Sequence, residues 1–466
     1  METKHALIAA DVDKTILSQN KNDEAFDFIN GVGHELITAA RNGFKIAFIT
    51  GNSMEQLTSR LLKLLVEALC NGDQLKLVSN FHFICNAGGV YFHINGQHDE
   101  LRKIINKTNQ KESFSEVMRI LTGALDKDNY FSICPEFIDP CYLKKTMIAQ
   151  DEVDAIKKIL TERAKSYCAT IEKNLDRISK IYDLSNDTVA SGNNLIVPFI
   201  EDRPVVYIKN GVEHTASVQL TLKPVLSFHQ GKDKNKLFEK DYRTSVVQQI
   251  QTQLDREGLG HFIARPGGRS SIDVTLAKLD KAYALEFIID HLNLQGQERN
   301  GRHFGSNTIY FGDEVIVGGG NDYPVTRIPG LLTFAVNRNI DRIPCLASVF
   351  VPSAIIQEVE ATKSILRKLN DIAEDPKMRL NKNRFVLDVF KENLFKARIL
   401  KKITNNPVQL EAHNWQTLNA FVSLMFRNDP HAKAWLNILV DELDSIMLQL
   451  SDRSRISAYG ASHHDA

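Results

Sequence analysis

One stretch decides the fold of this chain, namely Ala6-Leu7-Ile8-Ala9-Ala10-Asp11-Val12-Asp13-Lys14-Thr15. Its first five residues are apolar, and a short continuous apolar run predicts a strand that is buried on both faces. Two carboxylates follow at the carboxyl end of this strand, which is where open α/β sheets bind their ligands. Because neighbouring carboxylates repel each other, the pair indicates a proton or a cation beside it. A hard divalent cation bound through oxygen atoms would meet that need.

The bulk composition is that of a globular protein with more than one domain. The chain has 466 residues, which predicts two or three domains. Hydrophobic residues make up 43% and charged residues 24% of the chain. Lys plus Arg equals Asp plus Glu at 57 each. The net charge therefore gives no reason to expect a nucleic acid or a membrane as partner.

The cysteines and the amino-terminal residues indicate the cellular compartment in which the protein is expected. Six cysteines are scattered without C-x-x-C spacing, a pattern that favours free thiols in a reducing compartment. The apolar run at 6–10 is too short for the core of a signal peptide. No run approaches the roughly 18 apolar residues that a membrane-spanning helix requires. We therefore expect a soluble, cytoplasmic protein.

The first hundred residues alternate between apolar strands and amphipathic helices. Strands are predicted at 6–10, 44–50 and 81–85, and helices at 23–41 and 54–69. Ser53 and Gln56 have the spacing of a capping box at the start of the second helix. This βαβαβ order predicts a Rossmann-like, doubly wound parallel sheet, and hence an α/β fold.

The rest of the chain divides into an insertion, a return to the sheet pattern and a helical end. Residues 101–265 mix helices with strands of period two, such as 217–222, which predicts an inserted α+β domain. A helix at 281–292 and strands at 307–311 and 331–336 then resume the sheet. We thus expect four parts, which are a core (1–100 and 266–345), the insertion (101–265), a helical module (346–450) and a polar tail (451–466).

Four separate segments each place a reactive type of group at the predicted edge of the sheet. Asp11 and Asp13 end the first strand, and Thr50 ends the second. Lys281 begins a helix, and Asp313 ends a later strand. A nucleophilic carboxylate, a hydroxyl and an ammonium for phosphoryl oxygens, and a further carboxylate for a cation suit phosphoryl transfer.

Two of these segments lie at helix amino termini. A lysine in the first turn opposes the helix dipole, so Lys281 is easier to explain if it faces an anion. Residues Thr50-Gly51-Asn52-Ser53 precede a helix, whose unpaired backbone N–H groups form a ready site for phosphate.

Together these segments resemble the motifs of the haloacid dehalogenase-like phosphotransferases. That family has an Asp-x-Asp-x-Thr after a buried strand, then a Thr or Ser ending a strand, then a Lys, then an acidic Gly-Asp…Asn-Asp cluster. The corresponding stretches are Asp11-Val12-Asp13-Lys14-Thr15, Ile49-Thr50-Gly51-Asn52, Asp280-Lys281, and Gly312-Asp313 with Gly319-Gly320-Asn321-Asp322. The insertion lies between the second and third motifs, as in the Cof-like and phosphomannomutase-like branch, so the resemblance implies an α/β lid.

The resemblance also implies roles for individual residues. Asp11 would attack phosphorus and form an aspartyl-phosphate, and Asp13 would protonate the leaving oxygen and then activate water. Thr50 and Lys281 would hold the phosphoryl oxygens.

A second group of residues would bind the metal and the substrate. The resemblance implies that Mg²⁺ is held by Asp11, Asp313 and the Asp13 carbonyl, with Asp322 supporting the metal shell. Further candidate ligands of the phosphate or substrate are Gly51, Asn52, Asn86, Arg265 and Arg269. The chain departs from the family at Lys14, where glycine is usual, and at Asn52, where the lid-bearing phosphatases commonly have arginine.

The expected function is therefore a Mg²⁺-dependent phosphatase that acts on a small phosphorylated metabolite, either a sugar phosphate or a nucleotide monophosphate. Two alternatives stay open. A phosphomutase would use the same aspartate but exclude water while a bisphosphate turns over. A partner-binding protein would use the carboxyl-terminal helices, on which a homo-oligomer interface is also conceivable, and an inactive core.

Overall fold

The computed structural model describes residues 6–18, 28–107, 109–123, 133–172, 196–226, 241–267, 271–294, 305, 307–318, 320–337, 342–344, 349–350, 357–375, 386–387, 389–391 and 394. Arg269, Gly319, most of the predicted helical module and the whole predicted tail lie outside these residues. Among the described residues, no helix is both long enough and apolar enough to cross a membrane.

The described chain contains the predicted alternation of strands and helices. The strands are β1 (Leu7–Ala10), β2 (Lys45–Ile49), β3 (Phe81–Cys85), β4 (Val90–His93), β5 (Ile196–Lys209), β6 (Val212–Leu226), β7 (Phe262–Gly267), β8 (Ser271–Leu276), β9 (Thr308–Gly312), β10 (Leu332–Ala335) and β11 (Val349–Phe350). The helices are α1 (Gly33–Arg41), α2 (Met54–Leu57), α3 (Lys63–Asn71), α4 (Asp99–Ile105), α5 (Phe114–Thr122), α6 (Pro140–Thr146), α7 (Gln150–Glu172), α8 (Asp241–Arg256), α9 (Lys281–His291) and α10 (Glu358–Glu374).

A seven-stranded sheet forms the centre of the core, in the order β11-β10-β9-β1-β2-β3-β4. All neighbouring pairs are parallel except β3 and β4, which are antiparallel. The sequence did not suggest β4, because its four residues follow β3 so closely that they read as part of a loop. Strand β1 lies in the middle, between β2 and β9, so its carboxyl end is at the point where the strand order reverses. The α/β fold class is confirmed.

Apolar layers cover both faces of this sheet, which is why its central strands are apolar throughout. One layer is formed with α1, α3 and α10 and includes Leu36, Leu65 and Leu366. The other is formed with α9 and includes Leu285 and Ile288. All four residues of β1 are fully buried, which agrees with a strand that has helices on both sides.

A second, four-stranded antiparallel sheet has the order β5-β6-β8-β7. Strands β5 and β6 lie within the predicted insertion at 101–265, whereas β7 crosses its predicted end and β8 follows it. One face of this sheet is apolar and packs against α7 and α8, with Leu220, Ile272 and Val274 fully buried. The long β5–β6 hairpin extends well beyond the strand predicted at 217–222.

The carboxyl-terminal part of the described chain belongs to the core packing. Helix α10 lies against α1, where the Asn370 amide donates to the backbone oxygen of Glu35 at 2.9 Å and to its Oε2 at 3.0 Å. Strand β11 pairs with β10, although its residues follow the predicted core boundary at 345. The domain boundaries as a set stay a prediction.

Candidate active site

The carboxyl end of β1 meets that of β9, and this places Asp11 beside Asp313. Ala10 lies opposite Phe311 in the parallel register, and the Asp11 N–H donates to the Phe311 carbonyl at 2.9 Å. Asp11 and Asp313 therefore follow neighbouring strands at the same edge of the sheet. On the other side, Ala10 lies opposite Phe48, two residues before Thr50.

Three carboxylates from two distant segments gather at this edge. One oxygen from each of Asp11, Asp313 and Asp322 lies within 4.8 Å of the others, and we call these residues the acid triad. All three are buried, and Asp322 is not exposed at all. The motifs predicted that these three aspartates belong to one site, and in the fold they lie together.

Lys281 neutralises part of the acid triad. Its Nζ lies 2.8 Å from Asp11 Oδ1 and 2.6 Å from Asp322 Oδ1. Helix α9 starts at this lysine, and the Asp280 carboxylate caps the helix by accepting from the Tyr283 N–H at 2.9 Å. The first-turn lysine thus faces anions, as its unfavourable position relative to the helix dipole suggested.

Asp322 holds its neighbours through both carboxylate oxygens. Oδ1 accepts from Lys281 and from the Tyr310 hydroxyl at 2.5 Å, and Oδ2 accepts from the Glu314 N–H at 2.9 Å. A β-carbon on Gly312 would lie 2.6 Å from Asp322 Cγ, so only glycine lets the carboxylate approach this closely. Tyr310 was missed from the sequence, because it lies within an apolar strand and reads as a core residue.

Burial and mutual repulsion favour the protonated forms of two members of the acid triad, Asp11 and Asp313. Burial raises the pKa of Asp11 well above its usual value; Lys281 opposes the rise, and Asp322 and Asp313 add to it. Burial also raises the pKa of Asp313 to about 6, with Asp322 adding to the shift and Lys14 opposing it.

This environment fits a hard divalent cation. The triad offers three carboxylate oxygens, the ligand type that Mg²⁺ prefers. A bound cation would also stabilise the charged forms of Asp11 and Asp313, whose pKa values burial and the neighbouring carboxylates raise.

Asp13 points to different partners from those of the acid triad. Its Oδ2 accepts from the Asn52 amide at 2.7 Å, and its Oδ1 accepts from the Arg60 guanidinium at 2.8 Å. Arg60 was missed from the sequence, where it reads as a polar residue on an amphipathic helix. The one available signal was that Asn52 stands where the lid-bearing phosphatases commonly have arginine. An arginine from another segment could therefore contact Asp13, as Arg60 does.

Several backbone N–H groups at the start of α2 are paired with side chains of the chain itself. Ser53 and Gln56 form the predicted capping box, and the Met54 N–H donates to Asn86 Oδ1 at 3.1 Å. The Asn52 N–H donates to the Thr50 hydroxyl at 3.1 Å. These side chains therefore occupy part of the helix start, and its binding of phosphate stays a prediction. Asn86 joins β3 to α2, and its role as a substrate ligand stays a prediction.

The other predicted site residues are placed as follows. Arg265 donates to the carbonyls of Leu279 at 2.6 Å and Ala277 at 3.2 Å, so it braces the segment that leads into Lys281. Its binding of substrate stays a prediction. Gly51 is exposed in the turn after β2. Lys14 Nζ lies 3.4 Å from Asp313 Oδ2.

The second sheet presents polar side chains on the face opposite its helices, and we call this the polar face. Paired positions on adjacent strands share one face, and one such row is Glu201, Thr221, Asp273 and Arg265. The Thr221 hydroxyl donates to Asp273 Oδ1 at 2.8 Å. Further members of the polar face are Arg203, Gln219 and Lys223. Arg203 contacts Gln219 and Glu201, and Lys223 also contacts Glu201.

Two contacts place the polar face beside the carboxyl edge of the core sheet. Near the end of β3, a β-carbon on Gly89 would lie 2.9 Å from Val218 Cβ, so glycine lets β6 approach closely. At the other side, Arg265 binds the segment before Lys281. The charge of Arg203 also acts on the Cys85 thiol at the end of β3.

Comparisons with known proteins give matches among solved structures. No protein-family model and no curated protein sequence matches the chain. N-terminally truncated Plasmodium falciparum IMP-nucleotidase is similar at 15% identity and a TM-score of 0.37, over 71% of this chain and 66% of that one. Sucrose-phosphatase from Synechocystis sp. PCC6803 is similar at 14% identity and a TM-score of 0.35, over 78% and 97%. SMU.1108c from Streptococcus mutans UA159 is similar at 12% identity and a TM-score of 0.37, over 78% and 98%.

The chain spans 66% of the length of that IMP-nucleotidase. All three similarities are low. The resemblance of this chain to the haloacid dehalogenase-like phosphotransferases accordingly stands on its four motifs and on the strand order that brings Asp11, Lys281, Asp313 and Asp322 together.

Proposed function

We propose that this protein is a Mg²⁺-dependent phosphatase that hydrolyses a small phosphomonoester through an aspartyl-phosphate on Asp11. The observation that carries the proposal is the buried contact of Lys281 with both Asp11 and Asp322, next to Asp313. A buried lysine between carboxylates fixes the geometry of a nucleophile and supplies positive charge for phosphoryl oxygens. A turn that served only the fold would not need four buried ionisable groups in contact with one another.

The acid triad would hold the cation. Asp11 and Asp313 would provide carboxylate oxygens, and the Asp13 backbone carbonyl would complete the set implied by the family resemblance. Because both oxygens of Asp322 accept hydrogen bonds, this residue would mainly orient Lys281 and support the metal shell. When bound, Mg²⁺ would offset the charge of the phosphoryl oxygens and so let an anionic nucleophile approach them.

The side chains of the chain would then carry two successive displacements. In the first, an Asp11 oxygen forms a bond to phosphorus, the ester P–O bond breaks, and Asp13 gives its proton to the leaving oxygen. In the second, Asp13 takes a proton from water, the water oxygen attacks phosphorus, and the bond to Asp11 breaks. Lys281 and the Thr50 hydroxyl would bind the phosphoryl oxygens through both steps.

The insertion at 101–265 would act as a lid over a core formed by 1–100 and 266–345. Its polar face lies beside the edge that carries Asp11, and the face offers carboxylate, amide, hydroxyl and cationic groups. Such a surface suits the hydroxyl-rich remainder of a sugar phosphate or a nucleoside monophosphate. Closure over the substrate would exclude bulk water from the reacting centre.

The test is phosphate release from a panel of sugar phosphates and nucleoside monophosphates, IMP included, in the presence of Mg²⁺. We expect release by the wild-type protein and its loss in Asp11→Asn, because an amide is a poor nucleophile. Asp99→Asn is the matched control, since Asp99 is an exposed aspartate at the start of α4. Thermal melting of each variant checks that it is folded.

Other outcomes would contradict the proposal in distinct ways. Equal release by the wild type and Asp11→Asn would exclude Asp11 as nucleophile. No release without a sugar bisphosphate, together with isomerisation in its presence, would favour the phosphomutase. No turnover under either condition would favour the partner-binding alternative.

A further inference from the structure

Lys14 lies in a backbone conformation that lysine seldom adopts. Its φ is 61°, in the left-handed region that glycine enters freely. A tight turn holds it there, with the Lys14 N–H donating to the Leu17 carbonyl at 2.8 Å. A long cationic side chain thus stands at a position where glycine would be less strained.

The ammonium group of Lys14 reaches the acid triad. Its Nζ lies 3.4 Å from Asp313 Oδ2, and its side chain is 32% exposed. Lys281 binds the other two members, Asp11 and Asp322. Each carboxylate of the triad therefore has an ammonium group within 4 Å. The positive charge of Lys14 also acts to lower the pKa of Asp313.

A divalent cation bound by Asp313 would lie close to this ammonium group. Two positive charges that share one carboxylate repel each other, and burial of the site strengthens the repulsion. The side chain of Lys14 is partly exposed and flexible, so it can swing away into water. The metal must then either displace the ammonium group from Asp313 or bind more weakly because of the repulsion.

We propose that Lys14 is a tethered competitor of the divalent cation, which occupies Asp313 in the metal-free protein and weakens metal binding. The inference rests on the metal site of the proposed function. In the metal-free protein, Lys14 compensates part of the triad's charge, and it leaves Asp313 when the cation binds. Lys14 thereby stabilises the metal-free protein and lowers its affinity for the metal. The activity would then respond to the concentration of free Mg²⁺.

The test measures binding of Mn²⁺, by electron paramagnetic resonance of the free ion and by calorimetry, without substrate. In Lys14→Gln, which keeps a side chain of similar length but removes the charge, we expect about tenfold tighter binding. Lys14→Arg should bind Mn²⁺ as weakly as the wild type. The matched control is Lys63→Gln, since Lys63 is an exposed lysine at the start of α3.

Several results would overturn the proposal. One is unchanged or weaker Mn²⁺ binding in Lys14→Gln. Another is a raised KM for the phosphate ester at unchanged Mn²⁺ affinity, which would make Lys14 a substrate ligand instead. Loss of Mn²⁺ binding in Asp313→Asn locates the measured ion, and binding that survives this change would place the ion elsewhere and refute the competition.

The two proposals fail separately. Tighter Mn²⁺ binding by Lys14→Gln, without phosphate release from any ester, would support the competition and refute the phosphatase. Phosphate release with equal Mn²⁺ affinity in both proteins would do the reverse. If neither protein binds Mn²⁺, the competition is refuted.

Discussion

At the scale of single residues, the least expected feature is the pair of donors that holds Asp13. Asn52 lies in the turn after β2, and Arg60 lies in the π-helical turn Thr58–Leu62 between α2 and α3. Each of them binds a different oxygen of the Asp13 carboxylate. A carboxylate held at both oxygens has little rotational freedom, so its direction towards a substrate is set before binding. We infer that Arg60 positions Asp13 for proton transfer.

Replacement of Arg60 should therefore lower kcat more than it raises KM. Hydrogen bonds to charged groups contribute about 1.5–3 kcal/mol, so we expect Arg60→Ala to lower kcat by about 10- to 100-fold. Arg60→Lys should recover part of the loss, since an ammonium keeps the charge without the planar geometry of a guanidinium. Steady-state kinetics with the best substrate of the panel measure both parameters.

The control for this prediction is Arg41→Ala. Arg41 contacts Gln74 on the surface, away from the candidate site. A rise in KM with kcat unchanged would contradict the positioning role and would indicate that Arg60 binds the substrate.

At the scale of elements, strands β3 and β4 bring together a buried histidine, His82, and a half-buried one, His93, at the edge of the core sheet. The His82 ring stacks on His93, with centroids 4.5 Å apart, and its Nδ1 lies 3.0 Å from the Tyr91 hydroxyl. Burial lowers the pKa of His82 well below 6.5, and His93, Lys45 and His291 add to the shift. Burial likewise lowers the pKa of His93.

This pair should make the protein less stable in mild acid. In the unfolded chain histidine takes up a proton near pH 6.5, whereas the folded protein resists protonation of His82 until lower pH. The free energy of unfolding should thus fall as pH drops below 6.5, by up to about 1.4 kcal/mol per pH unit for each such group. His82→Gln should make this dependence shallower, as measured by urea unfolding between pH 5 and 8.

His34→Gln is the control, because His34 is exposed on α1. An identical pH dependence in the wild type and His82→Gln would show that His82 does not couple protonation to folding.

At the scale of the whole molecule, the two sheets use their faces differently. The core sheet is buried on both faces, while the second sheet buries one face against α7 and α8 and turns its polar face beside the candidate site. Lysines lie on both sides of the second sheet. Lys223 pairs with Glu201 on the polar face, and Lys157 on α7 pairs with Asp202 at 2.8 Å.

These two lysines give a matched test of the lid. If the polar face binds the part of the substrate that does not react, Lys223→Gln should raise KM about tenfold or change the preferred substrate, with kcat nearly unchanged. Lys157→Gln should alter neither, because its side chain lies at the helix-covered side. Equal effects of the two changes would contradict recognition by the polar face and point to a general effect on stability.

Much of the fold could be predicted because its signals are local. The apolar runs of β1, β2, β3 and β9 and the periodic helix α9 follow from residues next to one another in the chain. Strand β4 was not predicted, since four residues directly after a turn carry too little periodicity to mark a strand. The Ser53 and Gln56 capping box at the start of α2 was predicted from its local spacing. The contact of the Met54 N–H with Asn86 joins two separate segments, so no local pattern reveals it.

The sequence by itself determined the expected chemistry, phosphoryl transfer, and the α/β class of the fold. Each of the four motifs, and each strand or helix of the alternation, consists of residues that are neighbours in the chain. Tertiary structure alone decided which charges meet. It joined Lys281 to Asp11 and Asp322, set Arg60 on Asp13, and brought Lys14 to Asp313. The physical reason is that electrostatic energy depends on distance and burial, and segments up to 299 residues apart, as Lys14 and Asp313 are, acquire both only when the sheet assembles.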